Sequence, residues 1–298
     1  MSAPALALAA ATCYSLSQVA VRLGTRRIAP STGLLLSLYS GTLMLGIAVA
    51  IRGVGRPDPR ALAVFGLAGL LGPGVARFAS ITSVSRIGAT RTVPIIAACH
   101  PLVSVTIGAV LLAEELSVLR ATGIGLMLSG ILLAVRAGRP SDERRPREVG
   151  SRARLSFLVL PFVAGAAYGV ADYVRKAGLE LFADPLAGAF IGLTVSTLTW
   201  TAAMGFRGGA KGLLARVVDR DVRWFLLSGV SSAGAQVLLF WALLDGELSV
   251  VAPIVSMQPI IVALMVRVFI NRIERVGLAV GVAALFAAGG TALLALSR

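Results

Sequence analysis

The chain has 298 residues, of which 57% are hydrophobic and 14% charged, and its mean hydropathy is +0.87. A soluble domain of this size needs far more polar surface, and apolar runs of the roughly 20 residues that cross a bilayer recur along the sequence. The runs are continuous rather than alternating, which excludes a transmembrane β-barrel, and the net charge of +14 lies mostly between them, where it orients spans rather than binding nucleic acid.

Ten spans are predicted, at about 3–23, 32–51, 60–81, 87–112, 119–137, 155–178, 185–206, 222–244, 248–270 and 276–296. The first 24 residues have an apolar stretch but no basic residues before it, so they read as an uncleaved first span rather than a signal peptide. Pro30-Ser31, Arg56-Pro57-Asp58-Pro59 and Asp184-Pro185 mark turns between spans. Between the fifth and sixth spans, RAGRPSDERRPREVGSRAR (136–154) is charged, holds two prolines and reads as a solvated linker. The chain thus divides into a first five-helix repeat (1–137), a charged linker (138–154) and a second five-helix repeat (155–298).

Two alignments support the repeat. The stretch CYSLSQVAVRLG places Tyr14, Gln18, Arg22 and Gly24 on Tyr168, Asp172, Lys176 and Gly178. The first three of each set are four residues apart and form one helical stripe. Phe65 to Pro101 aligns with Trp224 to Pro259, placing Arg77 on Gln236, Gly88 on Gly246 and His100-Pro101 on Gln258-Pro259, with Pro94 within one position of Pro253.

Basic residues set the orientation. The loops on the linker side carry Arg22, Arg26, Arg27, Arg86, seven linker arginines, Arg207, Lys211, Arg216, Arg220, Arg223, Arg272 and Arg275. The other side carries Arg52, Arg56, Arg60, Arg120, Arg175, Lys176 and Arg298. The positive-inside rule puts the linker in the cytoplasm and both termini outside. With five spans per half, the second half is inverted relative to the first. The predicted fold is an all-α membrane protein with ten transmembrane helices as an inverted 5+5 repeat, an arrangement used by many secondary transporters.

Polar residues inside spans face a cavity or one another. Asp172 could bind a cation or carry the coupling proton; the blander reading pairs it with Arg175 at i+3 or Lys176 at i+4. Arg77 could hold a carboxylate or phosphate bidentately, pair with Asp172, or snorkel to the headgroups. His100, the one histidine, could carry a proton or simply be hydrogen-bonded in the packing. Tyr14, Gln18, Arg77, His100, Tyr168, Asp172, Gln236 and Gln258 are the candidate substrate-binding residues, while Arg91 and Arg267 read as interfacial. Pro94, Pro101, Pro253 and Pro259 are expected helix breaks, which at matching places in two halves point to a binding site. Gly165-x-x-x-Gly169, Gly188-x-x-x-Gly192 and Gly277-x-x-x-Gly281 should let helices pack closely. The sequence has no HExxH, Walker or GxSxG motif, and Cys13 and Cys99 form no disulfide framework. No enzymatic role, cofactor or metal is expected.

Ten spans as five plus five, a proline in the fourth span of each half and a Glu closing that span resemble the EamA-type transporters of the drug/metabolite transporter superfamily. The closing motif is Leu111-Leu112-Ala113-Glu114-Glu115-Leu116-Ser117, with Glu114 at the family position. In the second half, Phe269-Ile270-Asn271-Arg272 places Arg272 where that Glu would be. The resemblance covers essentially the whole chain. Its superfamily moves amino acids, sugars, nucleotide conjugates and cationic drugs, and the small multidrug relatives use a Glu in their first helix, where this sequence has Gln18 and, on the matching stripe, Asp172. The expected function is secondary active transport of a small organic solute across the cytoplasmic membrane by alternating access. It is read as an exporter of an amino-acid-like solute, coupled to protons at Asp172. The alternative is a non-transporting sensor or lipid-handling protein on the same scaffold. The expected partners are the solute and the lipid bilayer, with the protein a monomer or weak homodimer.

Overall fold

The computed structural model describes residues 1–24, 28, 30–87, 89–137, 159–205 and 221–269, with isolated positions between 282 and 296. The regular structure among them is helical: α1 (Ala3–Gly24), α2 (Pro30–Arg52), α3 (Pro59–Gly69), a π-helical turn (Leu70–Ala76), α4 (Arg77–Ile87), α5 (Ala89–Leu111), α6 (Val118–Ala137), α7 (Val159–Leu181), α8 (Pro185–Gly205), α9 (Val222–Asp245), α10 (Leu248–Val255) and α11 (Gln258–Phe269). The linker 138–154, Arg272, the Gly277-x-x-x-Gly281 motif and most of the expected tenth span lie outside the described residues.

Five of the helices contain stretches long and apolar enough to cross a bilayer: Ala3–Val21, Ser31–Arg52, Pro59–Ser80, Pro185–Met204 and Val222–Asp245. Leu43, Ile51 and Leu198 lie on such helices and are exposed, as suits side chains whose neighbours are lipid tails. α7 is not in that set, because Asp172, Arg175, Lys176 and Glu180 interrupt its apolar run.

Predicted and observed bounds agree closely, with two corrections. The third span runs on to Ile87, six residues beyond its predicted end, as α3, the π-helical turn and α4 in succession. The second correction concerns the prolines. α5 passes through Pro94 and Pro101 without interruption, so neither breaks a helix, although each removes one backbone donor. The interruptions fall at Gly72-Pro73-Gly74, which was not expected, and at Ser256-Met257, directly before the expected break at Pro259.

The halves interlock. α1 packs along α9, α7 packs along α5 and along the α3–π–α4 run, and α2 contacts both α9 and α8. α10 and α11 lie on α1, and α10 also touches α5. Glycines permit these approaches: a Cβ at Gly165 would stand 2.7 Å from that of Cys99, and one at Gly169 would stand 2.8 Å from that of Val103. Phe65 and Phe240, one from each half, meet edge-to-face at 5.7 Å and fill the core where Gly188 leaves room.

Candidate functional site

A buried polar cluster joins α1, α4, α5, α7 and the α10–α11 break. Asp172 is 1% exposed and stands at its centre. Its Oδ2 meets His100 Nε2 at 2.7 Å, and its Oδ1 accepts from Arg175 Nη1 three residues along the same helix. Both carboxylate oxygens therefore face donors. A carboxylate buried this deeply requires such partners, since an uncompensated charge there costs several kcal/mol (an order-of-magnitude figure).

The sequence counted Arg175, near the end of the sixth span, with the basic residues of the outer side. Instead it is 4% exposed. Its guanidinium occupies space that a side chain at Gly72 would fill, and lies 6.0 Å from the Phe240 ring centroid. The i+3 spacing was the available signal for the ion pair. Nothing local revealed the glycine gap that admits Arg175. Lys176, the other predicted partner of Asp172, turns away and donates to Gly246 O at 2.5 Å.

Arg77 begins α4, directly after the π-helical turn. Pro73 cannot supply the backbone donor that Gly69 O would receive in a regular helix; Ser196 Oγ of α8 donates to that carbonyl at 2.7 Å. Such turns are frequent at functional sites because they re-aim the residues that follow. Arg77 is partly buried and makes no hydrogen bond or ion pair with any described residue. Of the pairings open to Asp172, the structure forms the one with Arg175 and not the one with Arg77. The charges and phenols around Arg77 belong to Tyr14 and Tyr168, which share their surroundings with Arg175 and Asp172. Tyr168 also stacks at a tilt on His100, with centroids 5.8 Å apart.

The α10–α11 break supplies the remaining polar groups. Pro259 cannot donate to Val255 O, and Gln258 Nε2 takes that carbonyl at 3.1 Å. Gln258 Oε1 accepts from Gln18 Nε2, while Ser15 Oγ reaches Gln258 O at 3.3 Å, so α1 is tied to the break. Ser256, in the break itself, places its Oγ 3.1 Å from His100 Nδ1. Sequence reading missed Ser256, because a single serine in an apolar span carries no distinguishing pattern. Pro253 lies buried inside α10 without ending it. Gln236 is buried on α9 and has no hydrogen-bond partner among the described residues.

Of the predicted residues, then, Tyr14, Arg77, His100, Tyr168 and Asp172 share one cluster, and Gln18 and Gln258 form an adjoining pair. Glu114 lies apart, at the end of α5. There Ala113 adopts φ 52°, a left-handed turn that ends the helix and folds the chain back. The Glu114 carboxylate receives Leu248 N at 2.6 Å and Ser249 N at 2.8 Å, capping α10 of the other half. A cavity of about 390 Å³ lies beside it, lined by Glu114, Glu115, Arg120, Lys176, Glu180 and Glu247 among others.

Residues 1–136 match the model of the EamA-like transporter family. A solved crystal structure, titled only as that of a protein, is similar over 99% of this chain and 99% of its own length, with a TM-score of 0.75 and 16% identity. At that identity the likeness speaks for the fold. No curated protein matches the chain.

Proposed function

Because residues 1–136 match the model of the EamA-like transporter family, we propose that the chain is a multi-pass membrane transporter and exports an amino-acid-like zwitterion across the cytoplasmic membrane by proton-coupled alternating access. The observation that carries this reading is the difference between the two arginines of the cluster. Arg175 is neutralised by Asp172, whereas Arg77 has no ion-pair partner among the described residues. A solute carboxylate would complete Arg77 through a bidentate, charge-assisted contact. The rings of Tyr14 and Tyr168 nearby offer faces to an ammonium group. The coupling proton belongs to the Asp172–His100 pair, two ionisable groups in direct contact at 2.7 Å.

The proposed inverted 5+5 repeat has support from the packing. The contact of α1 with α9 has its counterpart in that of α7 with the α3–π–α4 run, and the contact of α5 with α7 in that of α10 and α11 with α1. Exchanging the halves maps each pair onto the other. Alternating access would then rock one half against the other around the cluster.

Purified protein in liposomes loaded with a radiolabelled mixture of the standard amino acids tests the function. Efflux that accelerates under an imposed proton gradient is expected. Absence of any movement of these solutes, in either direction and with or without the gradient, overturns it in favour of a sensor or lipid-handling role.

A further inference from the structure

We propose that the coupling proton resides on His100 rather than on Asp172, and that Ser256, at the break between α10 and α11, reports its presence. The inference rests on the proton-coupled reading above and assigns the proton an atom. Asp172 Oδ1 accepts from Arg175 and Oδ2 lies against His100 Nε2; a proton on Oδ2 would strip the charge that pairs with Arg175, whereas the same proton on Nε2 leaves the carboxylate whole to hold both partners. His100 has a place for both of its protons. Nε2–H donates to Asp172 Oδ2 at 2.7 Å, and Nδ1–H donates to Ser256 Oγ at 3.1 Å. Ser256 can accept there because its own hydroxyl hydrogen goes to Ala252 O at 2.9 Å.

Loss of the proton changes one element only. Nδ1 gives up its H⁺ to solvent and becomes an acceptor. The Ser256 hydroxyl then rotates from Ala252 O to donate to Nδ1. Ala252 O is not orphaned, since it keeps the backbone Ser256 N–H at 3.0 Å. Every polar atom is satisfied in both states, which makes the switch inexpensive. It reverses the hydrogen bond that links α5 to the break, and so gives the protonation state a handle on the joint between α10 and α11.

The groups facing His100 are compatible with this exchange. α7 contributes Asp172, Arg175 through Asp172, and the Tyr168 ring. α1 and α4 bring Tyr14 and Arg77 into the same electrostatic neighbourhood. The break contributes only the hydroxyl of Ser256. The repeat also anticipates a variant: the position aligned with His100 in the second half is Gln258, a residue that hydrogen-bonds but holds no proton.

Because the chain contains one histidine, ¹⁵N-histidine labelling of the full-length protein in liposomes yields a single imidazole to follow. The expected spectra, taken across the range in which histidines ordinarily change charge, about pH 5 to 8, show two ring forms, one with both nitrogens protonated and one with the Nε2–H tautomer. In Ser256→Ala the Nδ1 resonance should lose its hydrogen-bond shift in both forms. A ring that keeps one protonation state throughout that window overturns the proposal. In transport, His100→Gln should lose about tenfold or more of its gradient-driven accumulation relative to its own exchange down a gradient. Undiminished accumulation by His100→Gln also overturns it. A wild-type protein that moves no amino acid instead defeats the transport reading itself, whatever the imidazole does.

Discussion

Arg77 and Arg175 carry the same charge in the same cluster, and their neighbours alone separate their roles. Truncating one partner of a buried, hydrogen-bonded charge pair costs about 2–5 kcal/mol, so Arg77→Ala should weaken binding of the transported zwitterion by a hundredfold or so while leaving the fold intact. Calorimetric titration with the solute measures the first and a thermal melt the second. Unchanged affinity in a folded Arg77→Ala protein would make Arg77 a packing residue. Asp172→Asn behaves differently because Asp172 neutralises Arg175 and orders His100. The variant should still exchange solute down its gradient but no longer accumulate it against one, and it should melt earlier than wild type. Gradient-driven accumulation that survives this substitution places the coupling proton outside the Asp172–His100 pair.

Helix ends and crossings hold the cluster in place. Glu114 spans the halves, since it closes α5 and caps the first turn of α10, where the aligned backbone dipoles favour a negative charge. Lys176 Nζ stands 3.9 Å from the same carboxylate. Loss of an N-cap costs about 1 kcal/mol, and Glu114→Ala should lower the thermal midpoint accordingly, with Glu114→Gln recovering part of the loss. The α5–α7 crossing is tighter still. A leucine at Gly169 would be forced onto Val103, and overpacking of this kind costs about 1–3 kcal/mol. Gly169→Leu should therefore uncouple transport by parting His100 from Asp172, seen as a changed ¹⁵N spectrum of the single histidine. The same substitution at Gly125, where a Cβ would meet nothing within 4 Å, is the control and should leave that spectrum unchanged.

For the molecule as a whole, the distribution of arginine and lysine makes a prediction independent of the cluster. A reporter active only in the cytoplasm, fused within the linker 138–154, should be active, and the same reporter after Arg298 should be silent. The reverse pattern would invert the proposed membrane topology. The direction of export would then need to be reassigned, though the internal packing of α1 on α9 and of α5 on α7 would stand unchanged.

The helical class, the bounds of most spans among the described residues and the polar stripe that carries Tyr168 and Asp172 were legible along the chain. Hydropathy, helical spacing and loop charge are local properties, and lipid imposes them on each span separately. Which stripe residue met which partner was not local. The spacing allowed Asp172 to pair with Arg175 or Lys176 equally well. The gap at Gly72 admitted Arg175, and the crossing at Gly165 and Gly169 brought His100, 72 positions earlier in sequence, onto the other oxygen. The same holds for the helix interruptions. Proline removes a donor wherever it occurs, but whether the helix continues depends on what neighbouring side chains do with the freed carbonyl. Tertiary structure decided that α5 runs through Pro94 and Pro101, while the chain departs from regular helix around Pro73 and before Pro259, where Ser196 and Gln258 stand ready to take the carbonyls left behind.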